Sequence, residues 1–205
     1  FPPEWISARE TWQDKAPGVP FGEIKSAVEE ALGLPLEEAF ASFEREPLAT
    51  ASIGQTHLAT THEGDRVVVK VQRPGIESVM RGDLNLLYLG AQILEASIEE
   101  MRLVGVTDIV AEFEKALLRE LDFREELKNL LQMRASLFGS RAEPPASTDA
   151  KGVVTVPEPY PDLSTKTVLT MQFFDGKPLR LLEPGSEQAK RAVEELVRVT
   201  AKQIF

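Results

Sequence analysis

The feature that most restricts the fold of this 205-residue chain is a pair of apolar and β-branched runs around a three-residue turn, SIGQTHLATT, HEG, DRVVVKVQ. Runs of this kind, separated by a short Gly-containing turn, form a β-hairpin. Alternation along RVVVKVQ sends Val67, Val69 and Val71 to one face and Val68, Lys70 and Gln72 to the other. The first face requires a core against it. The second carries one cation.

Around the hairpin the pattern is mostly helical. A short helix is expected around Ser7 to Asp14, then a turn at APGVPF. Ile24, Val28, Ala31 and Leu32 share one face of a helix that Gly33 closes, and Pro35 opens a second short helix, PLEEAFASF. After the hairpin the spacing predicts one long helix from Ile76 to about Met101, another from Thr107, and a third from Asp122 to Gly139. SRAEPPASTDAKG reads as a loop. VVTVPEPY and KTVLTMQFF read as strands, the first kept short by Pro157 and Pro159, and Ser186 starts a last helix. Few strands scattered among long helices predict an α+β fold with one small antiparallel sheet. The expected divisions are a helical extension over 1–46, a lobe over 47–174, and a linker with the start of a second lobe over 175–205.

Composition narrows the function. A formal net charge of −10 argues against a nucleic-acid partner, because phosphate backbones select basic surfaces. With no cysteine, disulfides, thiol nucleophiles and Cys-based zinc sites are excluded, and His57 and His62 are too few for a His-rich metal site. No apolar run approaches the roughly 18 residues that a membrane-spanning helix needs. Neither a targeting peptide nor an initiating Met is visible, and both ends read as cut, as in a processed or partial polypeptide.

Lys70 has two readings. A lysine on a half-exposed strand can lay its stem over apolar surface and keep its ammonium in water. Alternatively it holds nucleotide phosphates, and then a glutamate from a later helix must orient it. RELDFREELKN supplies Glu120, Asp122, Glu125 and Glu126 on such a helix, although an acidic helix face is ordinarily just solvated.

Taken together the motifs resemble the UbiB, or ADCK (activity-of-bc1-complex kinase), family of atypical protein-kinase-like proteins. That family replaces the glycine-rich loop by A-A-A-S-I-G-Q-V-H, similar to ATASIGQTH here, and follows it with V-A-V-K-V-Q-R-P-G-I, similar to VVVKVQRPGI. A helical E-x-D-x-x-x-E is matched by Glu120, Asp122 and Glu126, and a strand entering D-G-x-P-L by VLTMQFFDGKPL.

The resemblance implies a protein-kinase-like amino-terminal lobe with an alanine-rich loop and extra family-specific helices, plus the first helix of the carboxy-terminal lobe. It implies ATP as ligand. Ala49, Thr50, Ala51 and Ser52 would cover the phosphates, Lys70 paired with Glu126 would contact them, and Met171, Gln172, Phe173 and Phe174 would form the hinge beside adenine. A loop of Ala and Ser is stiffer than one of Gly, since each Cβ removes conformations. Glu120 and Asp122 would engage an N-terminal extension. Asp83 also fits the family pattern, without an assigned role.

Departures are small within the matched motifs: Thr50 and Thr56 replace Ala and Val, and Gln172 stands where Glu is common. The K-x-G-Q signature, the catalytic Asp, the following Asn and the Mg²⁺-binding Asp are expected outside these residues, so no catalytic residue is assigned here. Two functions remain open on the sequence. One is the nucleotide-binding lobe of an atypical kinase or ATPase, set by the resemblance in prenylquinone or lipid metabolism in a mitochondrion, a chloroplast or a bacterial membrane, attached through segments not in this chain. The other is a non-catalytic pseudokinase or scaffold subunit, with quinone-synthesis proteins or prenyl lipids as partners in either case.

Overall fold

The computed structural model describes residues 18–138, 155–176 and 181–204. They form α1 (Phe21–Leu32), α2 (Leu36–Ala39), β1 (Ser42–Phe43), β2 (Ala49–Thr50), β3 (Gly54–Thr60), β4 (Arg66–Gln72), α3 (Ile76–Ser97), α4 (Glu99–Val104), α5 (Val106–Glu120), α6 (Phe123–Phe138), a 3-10 turn (Pro161–Leu163), β5 (Val168–Gln172) and α7 (Glu187–Ile204). Two compact units are present, Phe1–Leu127 with Pro159–Gln172, and Lys128–Glu158 with Phe173–Phe205.

The first unit is built on one antiparallel five-stranded sheet, in the order β1-β3-β4-β5 with β2 also paired to β3. This is the small antiparallel sheet expected of an α+β fold. The register is set by burial: Val67, Val69 and Val71 are all fully buried, as their alternation requires. They join Ile24 and Val28 of α1, together with Leu36, Ala39, Phe40, Ala59 and Val168, in one core. α1 ends as its sequence predicts, with Gly33 at φ 74° and its N–H donating to the Glu29 carbonyl.

Two polar side chains are sealed on that core side. Gln55 accepts the Val19 N–H at 2.9 Å and donates to the Val19 carbonyl at 3.3 Å, so it ties the chain entering α1 to β3. His57 lies 2.9 Å from the Gln55 amide nitrogen through Nε2 and 2.9 Å from the Glu44 carbonyl through Nδ1. Nε2 therefore accepts and Nδ1–H donates, which is the neutral tautomer. Burial pushes the His57 pKa down, consistent with that assignment.

Several elements differ from expectation. The long helix ends at Ser97, because Ile98 is extended at φ −133° and the chain restarts as α4. There Glu95 accepts the Thr107 N–H at 2.8 Å, stitching the end of α3 to the start of α5. The helix after Pro35 stops at Ala39, since Phe40 turns extended to reach the core, and Ser42–Phe43 becomes strand. The described part of VVTVPEPY is no strand: Pro159 alone makes an isolated bridge to Met171. Proline lacks the N–H that a ladder needs. KTVLTMQFF shortens to β5. The helix expected around Ser7 to Asp14, the SRAEPPASTDAKG loop and Val153 and Val154 lie outside the described residues.

In the second unit, Arg134 of α6 donates to the Val156 carbonyl at 3.1 Å and lies 3.6 Å from Glu158. The Ser186 hydroxyl accepts the Ala189 N–H at 3.2 Å and caps α7, as the sequence predicts.

Gly54 has a packing duty. A Cβ there would sit 2.5 Å from the Val71 carbonyl oxygen on the neighbouring strand. Gly54→Ala is expected to lower stability by roughly 1–3 kcal/mol, the usual cost of overpacking. Gly82→Ala on α3, where nothing lies within 4 Å, is expected to raise it by about 0.5–1 kcal/mol by restricting the unfolded chain. Urea unfolding of both variants checks the contrast.

Candidate functional site

The site grows from parity and register. Lys70 pairs with Thr56 on β3 and Leu169 on β5, and Thr56 pairs with Ala49 on β2. Directly opposed residues in antiparallel strands share a face. Ala49, Thr56, Lys70 and Leu169 therefore form one row across four strands, on the side away from the Val67–Val69–Val71 core.

Lys70 Nζ lies 2.6 Å from Glu126 Oε2 on α6. That contact meets the geometric demand made of a strand lysine and a helical glutamate. Three bonds place Glu126. Gln72, on the same strand face as Lys70, donates its amide to the Leu121 carbonyl at 2.5 Å. The Phe123 N–H donates to the Lys166 carbonyl at 3.0 Å, just before β5. Asp122 accepts the Arg124 N–H at 3.0 Å and so caps α6, while the Arg124 guanidinium grips both its carboxylate oxygens at 2.8 and 2.6 Å. The first turn of α6 is thus fastened to β4 and to the chain entering β5 before Glu126 is reached.

The Lys70 and Glu126 side chains remain 29% and 41% exposed. A pair so open to water contributes at most about 1 kcal/mol to stability. The pair holds the ammonium in a set place while leaving it accessible to solvent.

The Ala49–Ser52 stretch is half strand and half turn. Ala49 and Thr50 pair with Thr56 and Gln55, which puts Ala49 on the Lys70 face and Thr50 on the other. The Ala51 N–H donates to the Gly54 carbonyl at 2.8 Å and closes the turn. Arg73 braces it twice, through its main-chain N–H to the Ile53 carbonyl at 3.0 Å and through Nε to the Ala51 carbonyl at 3.0 Å. The N–H groups of Ser52 and Ile53 and the Ser52 hydroxyl, at the tip, make no hydrogen bond among the described residues. The turn is braced at its base, and its tip donors have no internal acceptor among the described residues.

Not every predicted residue converges. Met171 pairs with Val68 and shares the Lys70 face, whereas Gln172 pairs with Val67 and takes the opposite parity. Phe173 and Phe174 follow β5 and belong to the second unit, and Lys177 and Pro178 of the D-G-x-P-L match lie outside the described residues. Glu120 is exposed at the end of α5 and makes no ion pair among the described residues. Asp83 on α3 is likewise exposed. No cluster of three or more His, Asp or Glu that could hold a metal ion occurs among the described residues.

Gln72, Arg73 and Phe123 were not singled out from the sequence. For Gln72 the signal was present, since it shares the parity of Lys70 two residues earlier. For Arg73 and Phe123 there was none, because their partners come from a turn and a helix whose placement only the fold provides.

Residues 11–205 match the family model described as the ABC1 atypical kinase-like domain. The chain is 37% identical over 210 residues to a probable protein kinase UbiB of Azotobacter vinelandii, covering 99% of this chain and 36% of that protein. It is 34% identical over 184 residues to an uncharacterized aarF domain-containing protein kinase of Arabidopsis thaliana named as chloroplastic, covering 89% and 33%. The chain thus spans about a third of the length of these relatives. Among solved structures, the complex of Rv3197 with erythromycin from Mycobacterium tuberculosis superposes with a TM-score of 0.63 at 27% identity, covering 88% of this chain and 42% of that one.

The cap of α6 offers a measurable pH dependence. The Arg124 guanidinium and N–H hold the Asp122 pKa below the ordinary carboxylate range. A depressed folded-state pKa stabilises above the unfolded value, near 3.9, and the contribution disappears as pH falls through the folded value. Asp122→Ala is expected to cost about 1 kcal/mol at neutral pH, while Asp122→Asn, which still caps, costs less. The parent's advantage over Asp122→Asn should shrink to nothing on acidification below pH ~4, read by urea unfolding at each pH.

Proposed function

The chain belongs to the ABC1 atypical kinase-like family, and from that premise we propose that it is the ATP-binding amino-terminal lobe of an atypical kinase or ATPase. The observation that carries the reading is the 2.6 Å Lys70–Glu126 pair, set on the same sheet face as Ala49. A helix-borne carboxylate that orients a strand lysine is the arrangement that phosphoryl-transfer proteins of the kinase type use to position nucleotide phosphates.

The residues present fit such a ligand. Lys70 supplies the cation for the α and β phosphates, and Glu126 orients it. Ser52 and Ile53 offer backbone N–H donors at the tip of a turn whose Ala51 and Ile53 carbonyls already accept from Arg73. Ala49 leaves the row beside Lys70 free of bulk. Met171, which shares the Lys70 face, is the proposed adenine-side residue of β5. The nucleotide supplies the transferable phosphoryl group. The base and the Mg²⁺ ligands that phosphoryl transfer requires would come from residues other than those described.

By the setting of the family, the whole protein would act in prenylquinone or lipid metabolism at an organellar or bacterial membrane. No helix among the described residues is long and apolar enough to cross one.

Thermal-shift titration of the full-length protein with Mg-ATP tests the clamp. The parent should gain about 2.7 kcal/mol at a hundredfold excess over Kd. Lys70→Ala should lose most of that gain, and Glu126→Gln should lose less, because it removes orientation and keeps the cation. Equal shifts in parent and Lys70→Ala would rule the clamp out. Binding without any turnover in the full-length protein would favour a pseudokinase.

A further inference from the structure

Lys70 touches a second group that the nucleotide clamp does not account for. Its Nζ lies 4.6 Å from the centroid of the Phe123 ring. Phe123 is 1% exposed and opens α6, three residues before Glu126, so ring and carboxylate stand on one helix face. Its N–H is the one held by the Lys166 carbonyl, which fixes the ring's backbone independently of Lys70. The ammonium therefore has two partners from a single helical turn, one a carboxylate and the other an aromatic face.

We propose that Phe123 is a positioning residue for Lys70, holding the ammonium through cation–π attraction so that the cation keeps its place when phosphate oxygens compete with Glu126 for it. This rests on the nucleotide reading of the site. The chemistry suits the task in a way a second carboxylate would not. Two carboxylates would leave the cluster net negative and repel phosphate, whereas a neutral ring attracts the cation by its quadrupole and leaves its charge intact. The ring accepts no conventional hydrogen bond, so the N–H groups of the ammonium not given to Glu126 stay available to an incoming oxygen. It also limits the wandering of a four-carbon stem that is otherwise rich in rotamers. A buried phenylalanine that only filled space would not need a cation against its face, and that difference is measurable.

The test uses the full-length protein with Phe123 replaced by phenylalanines carrying one, two or three ring fluorines. Shape changes little along the series while the attraction for a cation weakens stepwise. Two quantities are read: the Kd for Mg-ATP, and the stability difference between Lys70 and Lys70→Met at each ring. Nucleotide affinity is expected to fall progressively, by about fivefold over the series, as the loss of an interaction of this size implies. The Lys70-dependent part of the stability should fall in step, and the Lys70→Met background should not. If the parent binds nucleotide and its affinity is flat across the series, the proposal is overturned. If the parent binds no nucleotide, the nucleotide reading is what fails. The stability cycle then decides the ring–ammonium contact alone: a graded coupling supports it and a flat one overturns it.

Discussion

Everything at the site depends on β4 being covered on both sides. Its neighbours β3 and β5 satisfy its backbone on either edge, and one side of its pleat is fully buried against α1 and the segment following it. With three valines committed to that core, Lys70 has no freedom to choose its face. A slip of one residue in register would bury the ammonium and expose the valines, which costs far more than any contact the lysine makes. The hydrophobic side of the strand therefore positions the polar side.

The first turn of α6 is the second half of that logic. An ion pair this exposed could not by itself hold a helix against a sheet. The helix is instead fastened through its entry, where Gln72, the Lys166 carbonyl and the Asp122 cap act on Leu121, Phe123 and Arg124. Two of these are neutral, short-range bonds made partly out of water, where they count for more than a surface charge pair. Glu126 then meets Lys70 because the turn beneath it is already placed. The small-residue turn is braced in the same manner by Arg73, which follows β4 directly, so strand, turn and helix are all registered on residues 70–73.

How much of this could be read from the sequence depends on the length scale of each signal. The hairpin was legible because seven-residue strands carry a full alternation, and α1, α5 and α7 because each shows several turns of periodicity, with Gly33 ending α1 and Ser186 starting α7. β1 and β2 were not, since two residues hold no period. The break at Ile98 has no Gly or Pro to announce it. VVTVPEPY looks like a strand by composition, yet its prolines lack the donors a ladder uses. At the site, parity alone put Lys70 opposite the core, but among Glu120, Asp122, Glu125 and Glu126 the residues themselves could not choose a partner; the family resemblance did. For Asp122 the resemblance implied an engagement with an N-terminal extension; among the described residues it also caps α6 and holds Arg124. Capping is local chemistry, and the D-x-R spacing carried it unread.

The bond from Gln72 to the Leu121 carbonyl has a mechanical meaning. With Phe123 also held, the entry to α6 is a pivot, and Glu126 stands only three residues beyond Phe123, on an arm of about 4.5 Å at the helical rise. Tilting the helix about that pivot moves Glu126 less than it moves residues farther along the helix. Anchored at its entry, the helix places Glu126 one turn from fixed backbone, so its distance to Lys70 is set mainly by that anchor.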